Sequence, residues 1–125
     1  MRTPFTIIVL ALLLFVSPAG ATPKAPLSSV QTIDITGSVT TGAVVILTKD
    51  LARQFLQIQN VTQGTNNLAC TTDGSTPAIG GHGVQLAGVA SGAGGAVLYD
   101  VNVPLGAVTC IGSASSTLYT ISYTP

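Results

Sequence analysis

Residues 54–61 read Gln54-Phe55-Leu56-Gln57-Ile58-Gln59-Asn60-Val61. Leu56, Ile58 and Asn60 fall on one side of an extended chain. Phe55, Gln57, Gln59 and Val61 fall on the other. A period of two marks a half-buried β-strand, because successive strand side chains point to opposite faces. Working outward, Lys49-Asp50-Leu51-Ala52-Arg53 reads as a charged connection or one short helical turn. Upstream, Val30 to Thr36 is a further strand, with Ile33 and Ile35 on one face and Asp34 on the other. Gly37-Ser38 then reads as a turn. Val39 to Leu47 follows, with Gly42 as a bulge or bend and Val44, Val45 and Ile46 as a buried run. Downstream, Thr62 to Asn66 reads as a hairpin loop, Leu68 to Thr72 as a strand, and Asp73-Gly74 as a turn pair.

The second half carries the same signals more loosely. Ser75-Thr76-Pro77 and Gly80-Gly81-His82-Gly83 are loop chemistry, and Val84-Gln85-Leu86 is a short strand. Gly88 to Gly95 holds four glycines and predicts a flexible or sharply turned loop. Ala96 to Tyr99 is a strand, Val103 to Gly106 a corner, and Ala107 to Ile111 a strand carrying Cys110. Gly112 to Ser116 turns the chain into a last strand, Leu118 to Tyr123. Turn signals spaced roughly every 8–12 residues, without helical periodicity, predict an all-β fold. The expected architecture is a single antiparallel β-sandwich of seven or eight strands, immunoglobulin-like or jelly-roll-like. With three Tyr, three Phe and no Trp, its core must be largely aliphatic.

The N-terminus has a different character. Arg2 precedes an unbroken apolar run from Ile7 to Val16, helix-breaking Ser17, Pro18 and Gly20 follow, and Ala19 and Ala21 are the small residues a signal peptidase reads. This predicts a secretory signal peptide over 1–21. The run is half of the about 20 residues needed to cross a ~30 Å bilayer core. Residues 22–29 read as a flexible, Pro-punctuated lead, and 30–125 as the sandwich domain. The expected destination is exported, periplasmic or extracellular.

Cys70 and Cys110 are the only cysteines, so one pairing is possible. In an oxidising compartment they are expected to form a disulfide. Closing a loop of this length is worth about 4 kcal/mol in the chain-entropy model.

The chain has four basic and four acidic residues and no net charge. Phosphate neutralisation needs clustered Lys and Arg, so nucleic acid is excluded as an electrostatic partner. With the signal removed, Lys24, Lys49 and Arg53 stand against Asp34, Asp50, Asp73 and Asp100. What remains is a nearly neutral surface rich in Thr, Ser and Gly, with no further apolar run of membrane length.

Candidate chemistry is sparse. His82 is the only histidine; as a catalytic base it would need a carboxylate (Asp73 or Asp100) and a nucleophile (Ser75 or Ser91) beside it. No Gly-x-Ser-x-Gly elbow supports such a set, so the expectation is a non-enzyme. Two Cys and one distant His do not make a closed zinc site, and Thr72-Asp73-Gly74 reads as a turn, not a calcium loop. Gly92-Ala93-Gly94-Gly95 lacks the Lys and Ser/Thr of a phosphate loop. No cofactor or metal is expected. Asn60-Val61-Thr62 matches a glycosylation sequon at a strand end. Arg53 reads as a solvated charge. Tyr99, Tyr119 and Tyr123 read as core and rim packing before a sugar-stacking platform, and His82 and Tyr99 are the candidates for surface binding.

Motif order in residues 51–123 adds a resemblance. Leu51-Ala52-Arg53-Gln54-Phe55-Leu56-Gln57-Ile58-Gln59-Asn60 is similar to the Arg-x-aromatic-Leu-x-Ile-Gln-Asn strand of small β-sandwich surface proteins of tailed bacteriophages and prophages. In those proteins, as here, a short strand with a Gly turn follows. Next come a Gly-x-x-Leu segment (Gly83-Val84-Gln85-Leu86), a Gly-rich loop, and a Val-Pro-x-Gly-Ala-Val corner (Val103-Pro104-Leu105-Gly106-Ala107-Val108). The resemblance implies a virion structural component of the head-decoration or head-fibre kind. The signal peptide and the Cys70–Cys110 pair depart from that family and imply an exported relative. The expected function is therefore a disulfide-stapled structural or interaction protein. Its partner would be its own copies or a particle or capsid surface. The alternative is a secreted glycan- or surface-binding module using loops Gly80–Gly83 and Gly88–Gly95.

Overall fold

The computed structural model describes residues 31–91 and 94–125; the expected signal peptide and lead lie outside them. Eight strands follow one another: β1 (Ile33–Val39), β2 (Val44–Leu47), β3 (Phe55–Asn60), β4 (Leu68–Thr71), β5 (Val84–Leu86), β6 (Ala96–Tyr99), β7 (Val108–Gly112) and β8 (Thr117–Thr124). They form two four-stranded antiparallel sheets, ordered β1-β8-β3-β6 and β2-β7-β4-β5. The fold is the expected all-β sandwich. Strand β1 pairs with β8, β2 with β7, β3 with β6 and β4 with β5. One long antiparallel hairpin, folded at the β4–β5 connection and rolled up, produces this pairing. Of the two sandwich types expected, this is the double-sheet jelly roll.

The core lies between the sheets. Leu56, Ile58, Ile121, Tyr119 and Val39 face it from one sheet, and Leu47, Leu68, Cys70, Leu86, Val108 and Cys110 from the other. Fully burying a Leu, Ile or Val side chain contributes about 1.5–3 kcal/mol. The alternation read in residues 54–61 is realised, with Leu56, Ile58 and Asn60 buried and Phe55, Gln57 and Gln59 half-buried on the opposite face. The Cys70–Cys110 disulfide forms. Its two residues are direct cross-strand partners on β4 and β7, with Cα atoms 4.2 Å apart. That spacing suits a non-hydrogen-bonded antiparallel pair. The bond therefore ties neighbours within one sheet, whereas the immunoglobulin disulfide joins two sheets.

Several local expectations are corrected. Gly37-Ser38 is not a turn; β1 runs through it in register with β8. Glycine leaves room there for a ring, because a Cβ on Gly37 would lie 2.5 Å from the Tyr119 hydroxyl oxygen and push the tyrosine aside. Val44 and Val45 are not buried: they are 45% and 56% exposed, because β2 is an edge strand. Gly42 lies in the expected bend, between β1 and β2, and a separate register shift between Val45 and Leu47 turns Leu47 into the core. Residues 62–66 do not close a hairpin, since β3 and β4 lie in different sheets and the segment crosses between them. Asp73-Gly74 begins a long β4–β5 loop, with Gly74 at φ 83°.

Candidate binding cleft and outer sheet face

The β4–β5 loop gathers most of the chemistry. Asp73 Oδ1 accepts from the Ser75 backbone N–H at 2.9 Å and from the Ser75 hydroxyl at 2.5 Å. Ser75 Oγ lies 2.9 Å from His82 Nε2. Farther along, the Gln85 amide donates to Ala78 O at 2.9 Å, and its oxygen accepts from Gly80 N–H at 2.9 Å. Gly83 enters β5 at φ 104°, where a Cβ would also meet the Cys70 carbonyl oxygen at 2.7 Å. The result is an open cleft of about 220 Å³, lined in part by Thr71, Asp73, His82 and Gly83. Pockets for drug-sized ligands measure roughly 300–1,000 Å³, so this cleft suits a smaller group.

Three of the residues weighed as a catalytic set, Asp73, Ser75 and His82, do meet. Asp100 and Ser91 lie on other elements, at the end of β6 and in the short 3₁₀ turn Val89–Ser91. The order of the three decides their chemistry. In a hydrolase triad the imidazole stands between carboxylate and hydroxyl, so that it can take the hydroxyl proton. Here the hydroxyl stands in the middle. The Ser75 hydroxyl and backbone N–H hold the Asp73 carboxyl below its ordinary value, with His82 adding a smaller electrostatic pull. Asp73 is thus a carboxylate accepting the Ser75 proton, and Ser75 Oγ in turn accepts from His82 Nε2–H. This chain of hydrogen bonds closes a loop. Among the described residues, no three His, Cys, Asp or Glu side chains converge as a metal site would need.

His82 and Tyr99 are not brought together. His82 is exposed in the cleft beside the β2-β7-β4-β5 sheet. Tyr99 is half-buried on the inner side of the other sheet, opposite Leu56. Tyr119 and Tyr123 also pack against the core, so the tyrosines form no outer platform.

The outer side of β1-β8-β3-β6 is a broad neutral face. Register sets its rows: Thr36, Thr120, Gln59 and Ala96 in one, Asp34, Ser122, Gln57 and Leu98 in the next. Ser38 and Leu118 continue it. Thr36 Oγ1 and Thr120 Oγ1 lie 3.3 Å apart across the strands. Asp34 is the single charged residue in these rows. The opposite sheet is different, because Ala69, Thr71 and Thr109 are buried on its outer side.

Two residues of the 51–60 motif have structural roles the sequence reading missed. Arg53 is only 3% exposed, against the expected solvated charge. Its guanidinium donates to Thr48 O at 2.8 Å, Pro104 O at 2.7 Å and Gly106 O at 3.2 Å. Desolvation lowers its pKa, and Asp50 opposes that shift. At the other end of β3, the Asn60 amide donates to Asn66 O at 2.8 Å and Leu86 O at 2.9 Å, and its oxygen accepts from Thr62 N–H at 3.0 Å. The signal available for both was their place at the two ends of the most regular strand.

Comparison of the chain with protein-family models, curated proteins and solved structures finds no match.

Proposed function

We propose that this chain is an exported, non-enzymatic structural protein that acts by packing its surface against its own copies or a particle, similar to surface proteins of tailed phages. The observation that carries this reading is the neutral outer face of β1-β8-β3-β6. Hydroxyl and amide groups can exchange water for a partner's hydrogen bonds, and burying them avoids the large desolvation cost of a charge. The buried disulfide supports an oxidising compartment. No helix among the described residues is long and apolar enough to cross a membrane. Light scattering of the mature protein tests the reading. An oligomer or a particle-bound species is expected, and Gln59→Lys at the centre of the face is expected to weaken particle binding. A protein that stays monomeric at high concentration and binds no particle overturns it.

A second reading, glycan binding, is favoured by one observation: His82 and Asp73 line an open cleft. Binding on a glycan array that disappears with His82→Ala would replace the first reading. Tyr99, turned toward the core, would not take part.

A further inference from the structure

We propose that the free edge of β1 is a pairing edge, along which a second copy of this chain adds its own β1 antiparallel about a two-fold axis at Thr36. The proposal rests on the self-associating reading above and names its contact.

The two sheets present four edges: β1 and β6, β2 and β5. Natural sheets protect edges with short strands, bulges, charges or cover, since exposed N–H and C=O groups template further pairing. Three of these edges are protected. β5 has three residues. β2 has four and a register shift. β6 has four, entered from Gly95, whose N–H is already held by Ala87 O at 2.7 Å. β1 is unlike them. It is seven residues long and keeps unbroken register with β8 from Ile33 to Val39. It contains no Lys, Arg or Pro, its one charge is Asp34 near its start, and Ile33 is 38% exposed on it. Among the described residues, nothing pairs with its outer edge.

The sequence of β1 is complementary to itself. A two-fold axis at Thr36 sets Ile33 opposite the partner's Val39 and Ile35 opposite the partner's Gly37 on the core side. On the outer side, Asp34 meets the partner's Ser38, and Thr36 meets its own equivalent. Such isologous contacts are the usual basis of closed dimers, and adding a strand to an edge is a recurrent mode of recognition. Charge disfavours moving the axis toward Asp34. With the axis at Thr36, the two Asp34 carboxylates stand four residues apart, roughly 13 Å, beyond the ~8 Å screening length at physiological salt. An axis at Ile35 would bring them to about 7 Å. The pairing makes one continuous eight-stranded sheet and doubles the neutral face.

Sedimentation velocity on the mature, disulfide-bonded protein tests this. The wild type is expected to be a dimer. Thr36→Lys places two ammonium groups at the axis and is expected to weaken dimerisation at least ten-fold, with an unchanged circular dichroism spectrum. Thr120→Lys, one strand inward on the same face, is expected to leave the dimer intact. Thr36→Cys is expected to give a covalent dimer on oxidation, and this decides the matter if Thr36→Lys fails to fold. A dimer indifferent to Thr36→Lys, or one equally broken by Thr120→Lys, overturns the β1 edge and leaves self-association standing. A wild type that is monomeric throughout overturns the β1 edge, and it overturns the structural reading as well only if the protein also binds no particle.

Discussion

Ser75 is the residue on which the cleft turns. Its hydroxyl joins Asp73 to His82, and its backbone N–H closes the turn on the same carboxylate. Because these contacts favour the ionised form, the folded pKa of Asp73 lies below its unfolded value. The stabilisation is therefore present above the unfolded carboxylate value, about 3.9. It is lost as pH falls through the depressed folded value. We expect Ser75→Ala to raise the Asp73 titration midpoint toward the ordinary range, so that the loop loosens at higher pH. Carboxyl chemical shifts followed by NMR through an acid titration check this. An unchanged midpoint would mean that the Ser75 contacts do not hold the loop.

At the scale of elements, β3 is clamped at both ends by buried polar side chains. Arg53 ties the β2–β3 and β6–β7 connections together. Asn60 ties the crossing segment 61–67 to the end of β5. Replacing either with an apolar residue of similar size takes the donor from partly buried carbonyl groups, which costs about 1–3 kcal/mol for each one that water does not reach. Arg53→Met and Asn60→Leu are each expected to lose about 2–3 kcal/mol by these terms. The two sites lie seven residues apart along an extended strand, roughly 23 Å. Their effects should then add within about 0.5 kcal/mol in urea unfolding of the double variant. The alternation of β3 was readable because it depends on neighbours in the chain. The roles of Arg53 and Asn60 were not, because their partners at 104, 106 and 86 are supplied by distant segments. Likewise, Gly37 looked like a turn residue until Tyr119, from the other end of the chain, came to lie across it.

At the scale of the whole molecule, the jelly roll joins the beginning of the chain to its end, with Ile33 opposite Tyr123. The disulfide spans 40 residues and sits in the core between β4 and β7. Replacing Cys70 and Cys110 together by Ala is expected to cost about 2–4 kcal/mol. That lowers Tm by roughly 4–8 °C for each kcal/mol in a domain of this size. Both cysteines are fully buried, so a reductant should leave the native protein oxidised and act only on unfolding. Thiol labelling across a thermal ramp measures this, and rapid reduction well below Tm would contradict it.

The sequence by itself determined what depends on nearest neighbours and on counting. It specified strands where polarity alternates, a largely aliphatic sandwich, one possible cysteine pairing and a surface with few charges. Tertiary structure alone decided the strand order, the burial of Arg53, the exposure of Val44 and Val45, and the meeting of Asp73, Ser75 and His82 with the hydroxyl in the middle. The reason is physical. A period of two sets which way each side chain points, but not which strand lies beside it. That choice is made by packing between segments as far apart as Thr36 and Thr120, whose hydroxyls meet across 84 residues of chain.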